Sequence, residues 1–288
     1  FEVIVVDNAS TDKTANMVNT KFSRVRLIRN KRNLGYAKAN NQAAKVAKGN
    51  YILLLNYDIL IKKGYIQNLI DFIKGRKSAG AVAAKLINPD MSTQYYYHRR
   101  FPNFLSFASS LIENYLKHKT PFSENYFMLN EKFDTEMELE QAATSALIIK
   151  RNILKKIGGL FDKNLPLFFN DTDLSKRIIN SGFKILLAPE IKIVHLKSRT
   201  TNLIDPFVIR EELFISMLYY FKKHRQIISY LMAKTNIIIL LIILLMLNFV
   251  NLSKSYLGIS RKNTKKYIKK QVTIILSVVL EKRLISSF

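Results

Sequence analysis

The chain opens on four consecutive branched apolar residues, Val3 to Val6, and closes the run with Asp7. An unbroken run of this kind predicts a strand buried on both faces of a parallel sheet. Val25–Ile28 and Tyr51–Leu55 repeat the pattern. Between them the period changes to that of helices, over Lys13–Lys21, over the Ala-rich Tyr36–Ala47 ending near Gly49, and over Tyr65–Ile73. Ser10 or Thr11 is the expected N-cap of the first helix. Gly80–Leu86 predicts a further strand. Residues 103–140 mix helical signals with little periodicity and predict a variable insertion. "QAATSALIIKRNILKKIGGLFD" then predicts a strand, a short helix and a Gly-Gly stop. A helix follows from about Asp171 to Asn180, with Gly182 ending it, and two short strands, one ending at "AP" and one at His195. Strands alternating with helices at this spacing predict an α/β fold with crossover connections.

After Phe207 the character changes. Phe207–Phe221 is helical with a basic end, and Thr235–Leu252 is strongly apolar. At 1.5 Å per residue that apolar run spans about 27 Å, against about 30 Å for a bilayer core. Basic residues flank both of its ends, among them Lys222, Lys234, Lys254 and Lys265, so charge asymmetry assigns no orientation. A last apolar piece, Val272–Leu280, is too short to cross. The expected organisation is a sheet domain over residues 1–200 and a helical, membrane-associated region over residues 201–288. The chain starts inside a strand with Phe1 rather than Met, so an earlier strand and helix are expected to precede it.

Composition narrows the classes. There are no cysteines among the 288 residues, which excludes a disulfide framework and a thiolate zinc site. A formal net charge of +25 attracts polyanions: nucleic acid, an anionic membrane surface or phosphorylated substrates. The basic residues are dispersed rather than gathered on one helix face, so nucleic acid is not the expected partner. The tract "YYYHRRF" fits either a stacking platform or, more simply, a basic surface.

The polar residues at predicted strand ends and helix starts are Asp7, Asn8, Asp58, Asp171, Asp173 and His195. In open α/β sheets ligands lie beyond the carboxyl ends of strands, where Asp7 and Asp58 fall. Simpler roles compete: Asp7 and Asp58 as turn residues, Asp171 as a helix cap, Asp173 as the i,i+4 partner of Arg177, His195 as a structural histidine. No nucleophile triad, P-loop or dinucleotide fingerprint is present. A diphosphate would then be held through a divalent cation, Mn²⁺ or Mg²⁺, on hard oxygen ligands.

Four blocks in order, "VIVVDNASTDKT", "NKRNLGYAKANNQAAKVAKGNYILLLNYD", "GGLFDKNLPLFFNDTDLSKRIINSGFKI" and "APEIKIVH", resemble family 2 glycosyltransferases of the rhamnosyltransferase-like branch, over roughly Phe1 to Arg199. The resemblance implies a GT-A fold lacking its first strand here, and an inverting transfer of a sugar from a nucleotide-sugar donor to a lipid-linked or polysaccharide acceptor at the cytoplasmic face of the cell membrane. It implies donor binding by Asp7, Asn8, Asn33, Gly35, Asn56 and Asp58. The "NYD" triplet stands at the Asp-x-Asp motif, with Asn56 replacing its first acid. Asp58 and His195 are then the implied metal ligands and Asp171, in "NDTD", the implied general base. Asn170 stands where the family has Glu. These two amide replacements leave open a catalytically impaired sugar-nucleotide-binding partner, and net charge alone leaves open a nucleic-acid-binding protein.

Overall fold

A computed structural model of the chain describes residues 1–116, 119–196, 204–253 and 261–284. The expected boundary at residues 200 and 201, the basic residue Lys254 and the end of the family resemblance at Arg199 lie outside the described residues. The described residues form two compact units, one within 1–102 and 112–198, the other within 103–111 and 199–287.

In the first unit β1 (Val3–Asp7) pairs in parallel with β2 (Val25–Arg29), joined through α1 (Thr14–Lys21). The pair is a two-stranded sheet of its own, and burial rises along β1 from an exposed Val3 to a buried Asp7. The opening run is therefore not buried on both faces; β2 flanks it as its one hydrogen-bonded neighbour among the described residues. Neither Ser10 nor Thr11 caps α1. Asp12 Oδ1 accepts from the Thr14 amide at 2.8 Å, and the Ser10 amide is turned back onto Asp7 Oδ1 at 3.2 Å.

The main sheet has six strands in the order β3 (Tyr51–Leu55), β7 (Ala146–Lys150), β5 (Ala79–Ile87), β8 (Lys184–His195) and β4 (Ile59–Leu60), with β6 (Met137–Glu138) also on β8. It is mixed. β5 and β8 run parallel, whereas β7 is antiparallel to both β3 and β5. All nine residues of β5 are buried, because both faces of the sheet are covered. On one face Ala81, Ala83, Leu147 and Ile149 pack with Ala37 of α2 (Tyr36–Val46), Leu154 of α6 (Arg151–Lys156) and Leu174 of α7 (Asn170–Asn180). On the other, Val82, Ala84 and Ile148 pack with Leu69, Phe72 and Ile73 of α3 (Tyr65–Lys74). This alternation is the period-2 signature of strands covered on both sides. Gly80 permits the close approach of α7 to the sheet: a Cβ there would lie 2.8 Å from Phe183 Cβ and 3.0 Å from Ile178 Cγ2.

One expectation is corrected here. The two short strands before His195 are one strand, β8, whose pairing with β5 steps from Ala84↔Ala188 to Lys85↔Lys192. Pro189 has no N–H for the ladder, so the chain bulges over residues 189–191 and then resumes. The segment 103–140, expected as a variable insertion, holds α4 (Phe104–Leu116), α5 (Pro121–Tyr126) and β6, and β6 pairs with β8 of the main sheet.

The second unit contains α8 (Pro206–Lys223), α9 (Ile227–Ser253) and α10 (Arg261–Leu280). Asp205 caps α8 through the Phe207 amide at 2.9 Å, with Pro206 at the first helical position. Two acids of α8 are buried: Glu212 accepts from Arg283 Nε at 2.6 Å, and Glu211 from the Leu284 amide at 2.6 Å and from Ser277. α9 begins well before the predicted apolar run. Its 27 residues extend about 40 Å, and Ile227–Met246, with mean hydropathy 2.2, is long and apolar enough to cross a membrane. Lys234, inside that window, is held by Glu281 at 2.7 Å. The short apolar piece Val272–Leu280 is the second half of α10.

Candidate active site

The turn Asn56-Tyr57-Asp58 joins β3 to β4, and the pairing of β4 with β8 decides what Asp58 meets. Ile59 lies opposite His195, and the Leu196 amide donates to the Asp58 carbonyl at 2.9 Å. Asp58 Oδ2 is consequently 3.3 Å from His195 Nε2, both side chains being buried. Residues 137 positions apart are brought together by a two-residue strand. The ring of Tyr97 meets His195 edge-on at 4.8 Å.

Asn56 is oriented from two sides. Its amide donates to the Ser145 carbonyl at 3.1 Å, and its Oδ1 accepts from the Tyr36 hydroxyl at 3.3 Å. Tyr36 also meets Thr144 Oγ1 at 3.2 Å. Burial pushes the Tyr36 phenol up to about 12, the Thr144 bond opposing and the carboxylates of Asp171 and Asp58 adding to the rise. Tyr36 thus stays a neutral donor, and it stands in the field of both acids.

Asp171 occupies the first turn of α7, where the helix dipole favours a carboxylate. Its Oδ1 accepts from the Thr172 amide at 2.8 Å, and its Oδ2 from Gln141 Nε2 at 3.0 Å. Gln141 is fully buried, and its backbone pairs with Arg99 in both directions, at 3.1 and 3.0 Å. Burial works against the Arg99 cation, but the neighbouring Tyr126 and Asp171 outweigh it and hold Arg99 above its ordinary value. Asn170 accepts from the Asp171 amide at 2.7 Å and donates to the Leu167 carbonyl at 3.0 Å. Asp173 is fully buried and paired with Arg177 at 2.8 Å; Arg177 in turn holds the carbonyls of Ile157, Gly159 and Leu160.

Asp7, Asn8, Asn33 and Gly35 form a neighbouring group. Asn8 Oδ1 accepts from the Leu34 amide at 3.0 Å and from Asn30 at 3.1 Å, while its Nδ2 donates to Asn33 at 2.6 Å and to the Gly35 carbonyl at 3.5 Å. Asn8 spends its amide on holding the loop 30–35 against the end of β1. Gly35 has φ +79 and directly precedes Tyr36, so the loop needs a glycine to deliver Tyr36 into the site. Asn8, next to Asp7, thus holds the loop that leads into Tyr36.

The donor set fits a divalent cation in part. One carboxylate and one imidazole, buried and 3.3 Å apart, suit Mn²⁺ or Mg²⁺ as two ligands. Among the described residues no group of three carboxylate or imidazole side chains gathers to hold a metal by itself, so the remaining ligands would come from a diphosphate or water.

Several residues at this rim were not anticipated from sequence: Tyr36, Gln94, Tyr97, Arg99, Gln141 and Thr144. The tract Tyr95–Phe101, expected as basic surface, is mostly half-buried, with His98 in the interior and Tyr96 exposed. Gln94 and His98 are buried at 2% and 3% exposure. Its position directly after the wholly buried β5 was the available signal.

Comparison with known proteins gives a consistent picture. Residues 1–137 match the model of "Glycosyl transferase family 2". An N-acetylglucosaminyl-diphospho-decaprenol L-rhamnosyltransferase of Mycobacterium tuberculosis is 25% identical over 212 residues, covering 69% of this chain and 68% of that protein. The Escherichia coli rhamnosyltransferase WbbL is 23% identical over 168 residues, 56% of this chain and 60% of that protein. The Escherichia coli UDP-Glc:alpha-D-GlcNAc-diphosphoundecaprenol beta-1,3-glucosyltransferase WfaP is 40% identical over 78 residues, 27% of this chain and 31% of that protein. Among solved structures, the mannosyltransferase PcManGT of Pyrobaculum calidifontis, in complex with GDP-Man and Mn²⁺, superposes with TM-score 0.51 at 14% identity, covering 99% of this chain and 79% of that one. TarS of S. aureus superposes with TM-score 0.50 at 14% identity, covering 96% of this chain and 38% of that one. The likeness to these structures establishes the fold, a GT-A architecture.

Proposed function

We propose that this chain, whose residues 1–137 match the model of glycosyl transferase family 2, moves a hexosyl group, rhamnose being the first candidate, from a nucleotide-sugar donor to a lipid-linked or polysaccharide acceptor. The observation that carries this reading is the buried Asp58–His195 pair, 3.3 Å apart, at the turn whose Asn56 is held by Tyr36, a phenol that feels the charge of both Asp58 and Asp171. In the reaction Asp171 takes the proton of the acceptor hydroxyl while that oxygen attacks the anomeric carbon. The bond from that carbon to the diphosphate breaks, its electron pair leaves with the diphosphate, and the configuration inverts. Asp58 and His195 would hold a divalent cation, which when bound supplies positive charge against the departing diphosphate. Asn56, kept in place by Tyr36, leaves this edge with one acid fewer than the family motif. Cation binding is then expected to strengthen when a nucleoside diphosphate completes the ligand shell. Asp7 and the loop ordered by Asn8, Asn33 and Gly35 are proposed to receive the nucleoside.

The acceptor class is supported by the relatives, several of which are named for polyprenyl-linked substrates. α9, together with the basic residues of α10, is proposed to keep the enzyme at the cytoplasmic membrane face, each well-placed Lys or Arg contributing about 1 kcal/mol on anionic lipid. The test is a screen of UDP-, dTDP- and GDP-sugars with and without Mn²⁺, followed by transfer to a polyprenyl-diphosphate sugar. Binding of one donor class, strengthened by Mn²⁺, is expected. No binding of any donor in either condition would remove this reading.

A further inference from the structure

We propose that Gln94 is a positioning residue of the active site: with Asn88, Ser92 and Asp90 it forms a one-way hydrogen-bond chain that fixes which nitrogen of His195 faces Asp58. The orientation of the Gln94 amide is settled by a group that can only accept. Its Nε2 donates to the His195 carbonyl at 3.0 Å and to Asn88 Oδ1, also at 3.0 Å. Oε1 is therefore the atom that faces His195 Nδ1 at 2.7 Å, and a carbonyl oxygen there requires Nδ1 to carry the proton. The chain continues outward in the same sense. Asn88 Nδ2 donates to Ser92 Oγ at 2.8 Å, and Ser92 Oγ donates to Asp90 Oδ1 at 2.6 Å. Along the chain from His195 Nδ1 to Asp90 each donated proton points outward, toward a carboxylate at the exposed end, while the second Gln94 Nε2 proton holds the His195 carbonyl.

The backbone supports it. The Gln94 amide donates to the Leu86 carbonyl at 3.0 Å, and the Asn88 amide to the Ser92 carbonyl at 2.9 Å, closing residues 88–92 into a tight turn at the end of β5. The edge of Tyr97 fixes the plane of the ring.

The consequence lies at the other nitrogen. With Nδ1 committed to Gln94, Nε2 is the nitrogen that faces an Asp58 oxygen at 3.3 Å: in the neutral ring its lone pair lies beside that oxygen, and in the imidazolium it donates to it, so a cation binding there takes the place of a proton. An imidazole held in advance loses no freedom on binding that cation. This part of the inference rests on the reading that a divalent cation binds at Asp58 and His195; the tautomer does not.

The experiment separates the two. Long-range ¹H–¹⁵N correlation on the full ¹⁵N-labelled chain reports the tautomer of each histidine, with His195 assigned by the signal lost in His195→Gln. Electron paramagnetic resonance of free Mn²⁺ in the presence of UDP reports binding without any transfer reaction. The wild type is expected to show His195 protonated on Nδ1. Gln94→Met should move the signal toward Nε2–H and weaken Mn²⁺ binding by about 10- to 100-fold, whereas Gln94→Glu, which keeps the acceptor, should hold the tautomer. A neutral Nε2–H tautomer in the wild type, with Nδ1 unprotonated, or a Gln94→Met protein unchanged in tautomer, overturns the proposal. Where Gln94→Met does not fold, the wild-type spectrum decides alone. A wild type with the Nδ1–H form but no Mn²⁺ binding retains the positioning role and removes the cation.

Discussion

The two flanks of the first turn of α7 carry carboxylates that differ in burial and in the charge of what holds them. On one flank Asp173 is fully buried against Arg177, which also gathers three carbonyls of the preceding loop. On the other Asp171 is half-buried and held by neutral donors, the Gln141 amide and the turn of its own helix. Of the two buried acids of α8 in the second unit, Glu212 follows the Asp173 pattern by taking Arg283, while Glu211 is held by the Leu284 amide and Ser277. A carboxylate with a fixed cation is committed to the fold; one with amide partners keeps its charge available to a substrate proton.

The largest effects are expected where the two flanks are exchanged in turn. Asp171→Asn should lower turnover by about 10²- to 10⁴-fold with donor binding and melting temperature nearly unchanged. Asp173→Asn should do the reverse, costing about 3–5 kcal/mol in denaturant unfolding by stranding Arg177, while turnover per folded molecule stays close to wild type. If the two variants behave alike, the contrast between the flanks is wrong.

The histidines sharpen the same contrast. His195 faces an acid, whereas His98 is buried between the Ala84 carbonyl and the Ala143 amide at 3.3 Å from each. Burial pushes the His98 imidazole down from 6.5 to about 4, the Ala84 bond opposing. Above pH 6.5 both folded and unfolded chains are neutral there and the stability is complete. Between 6.5 and 4 the unfolded chain alone takes the proton, so stability falls as pH falls, by about 3 kcal/mol in total, and levels off below 4. Unfolding in urea across that range should show the slope, and His98→Gln should flatten it. A smaller effect is expected from Tyr36→Phe, which removes one buried hydroxyl shared by Asn56 and Thr144. It should cost about 1 kcal/mol of stability and leave Asn56 less ordered, read as a raised donor KM with kcat little changed.

Much of the frame was legible because it rests on local rules. The runs at Val3, Val25 and Tyr51 and the helices at Tyr36 and Tyr65 were set by period and by Gly punctuation, and they fall within a residue or two of the observed elements. The sense of the strands was not legible. β7 is antiparallel to both of its neighbours, and nothing in "ALIIK" distinguishes that from a parallel strand. The bulge in β8 was read as a chain break because Pro189 is a local signal, while the ladder that resumes at Lys192 depends on β5. At the site, acids at strand ends could be found from their position. Their partners could not: Gln141 lies in a segment without periodicity, and Gln94 and Arg99 lie in a tract whose aromatic and basic composition resembles exposed surface.

The bulge at residues 189–191 sets more than the length of β8. Side chains alternate between the faces of a strand, so the number of residues looped out fixes the parity of everything that follows. Ile191, Ile193 and His195 are buried while Lys192 is exposed, and this phase is counted from the bulge. An odd change in that count would present Val194 where the imidazole now stands. The handedness of the site against Asp58 is thus written in the spacing after Pro189, a quantity that a substitution cannot alter and a single insertion or deletion can.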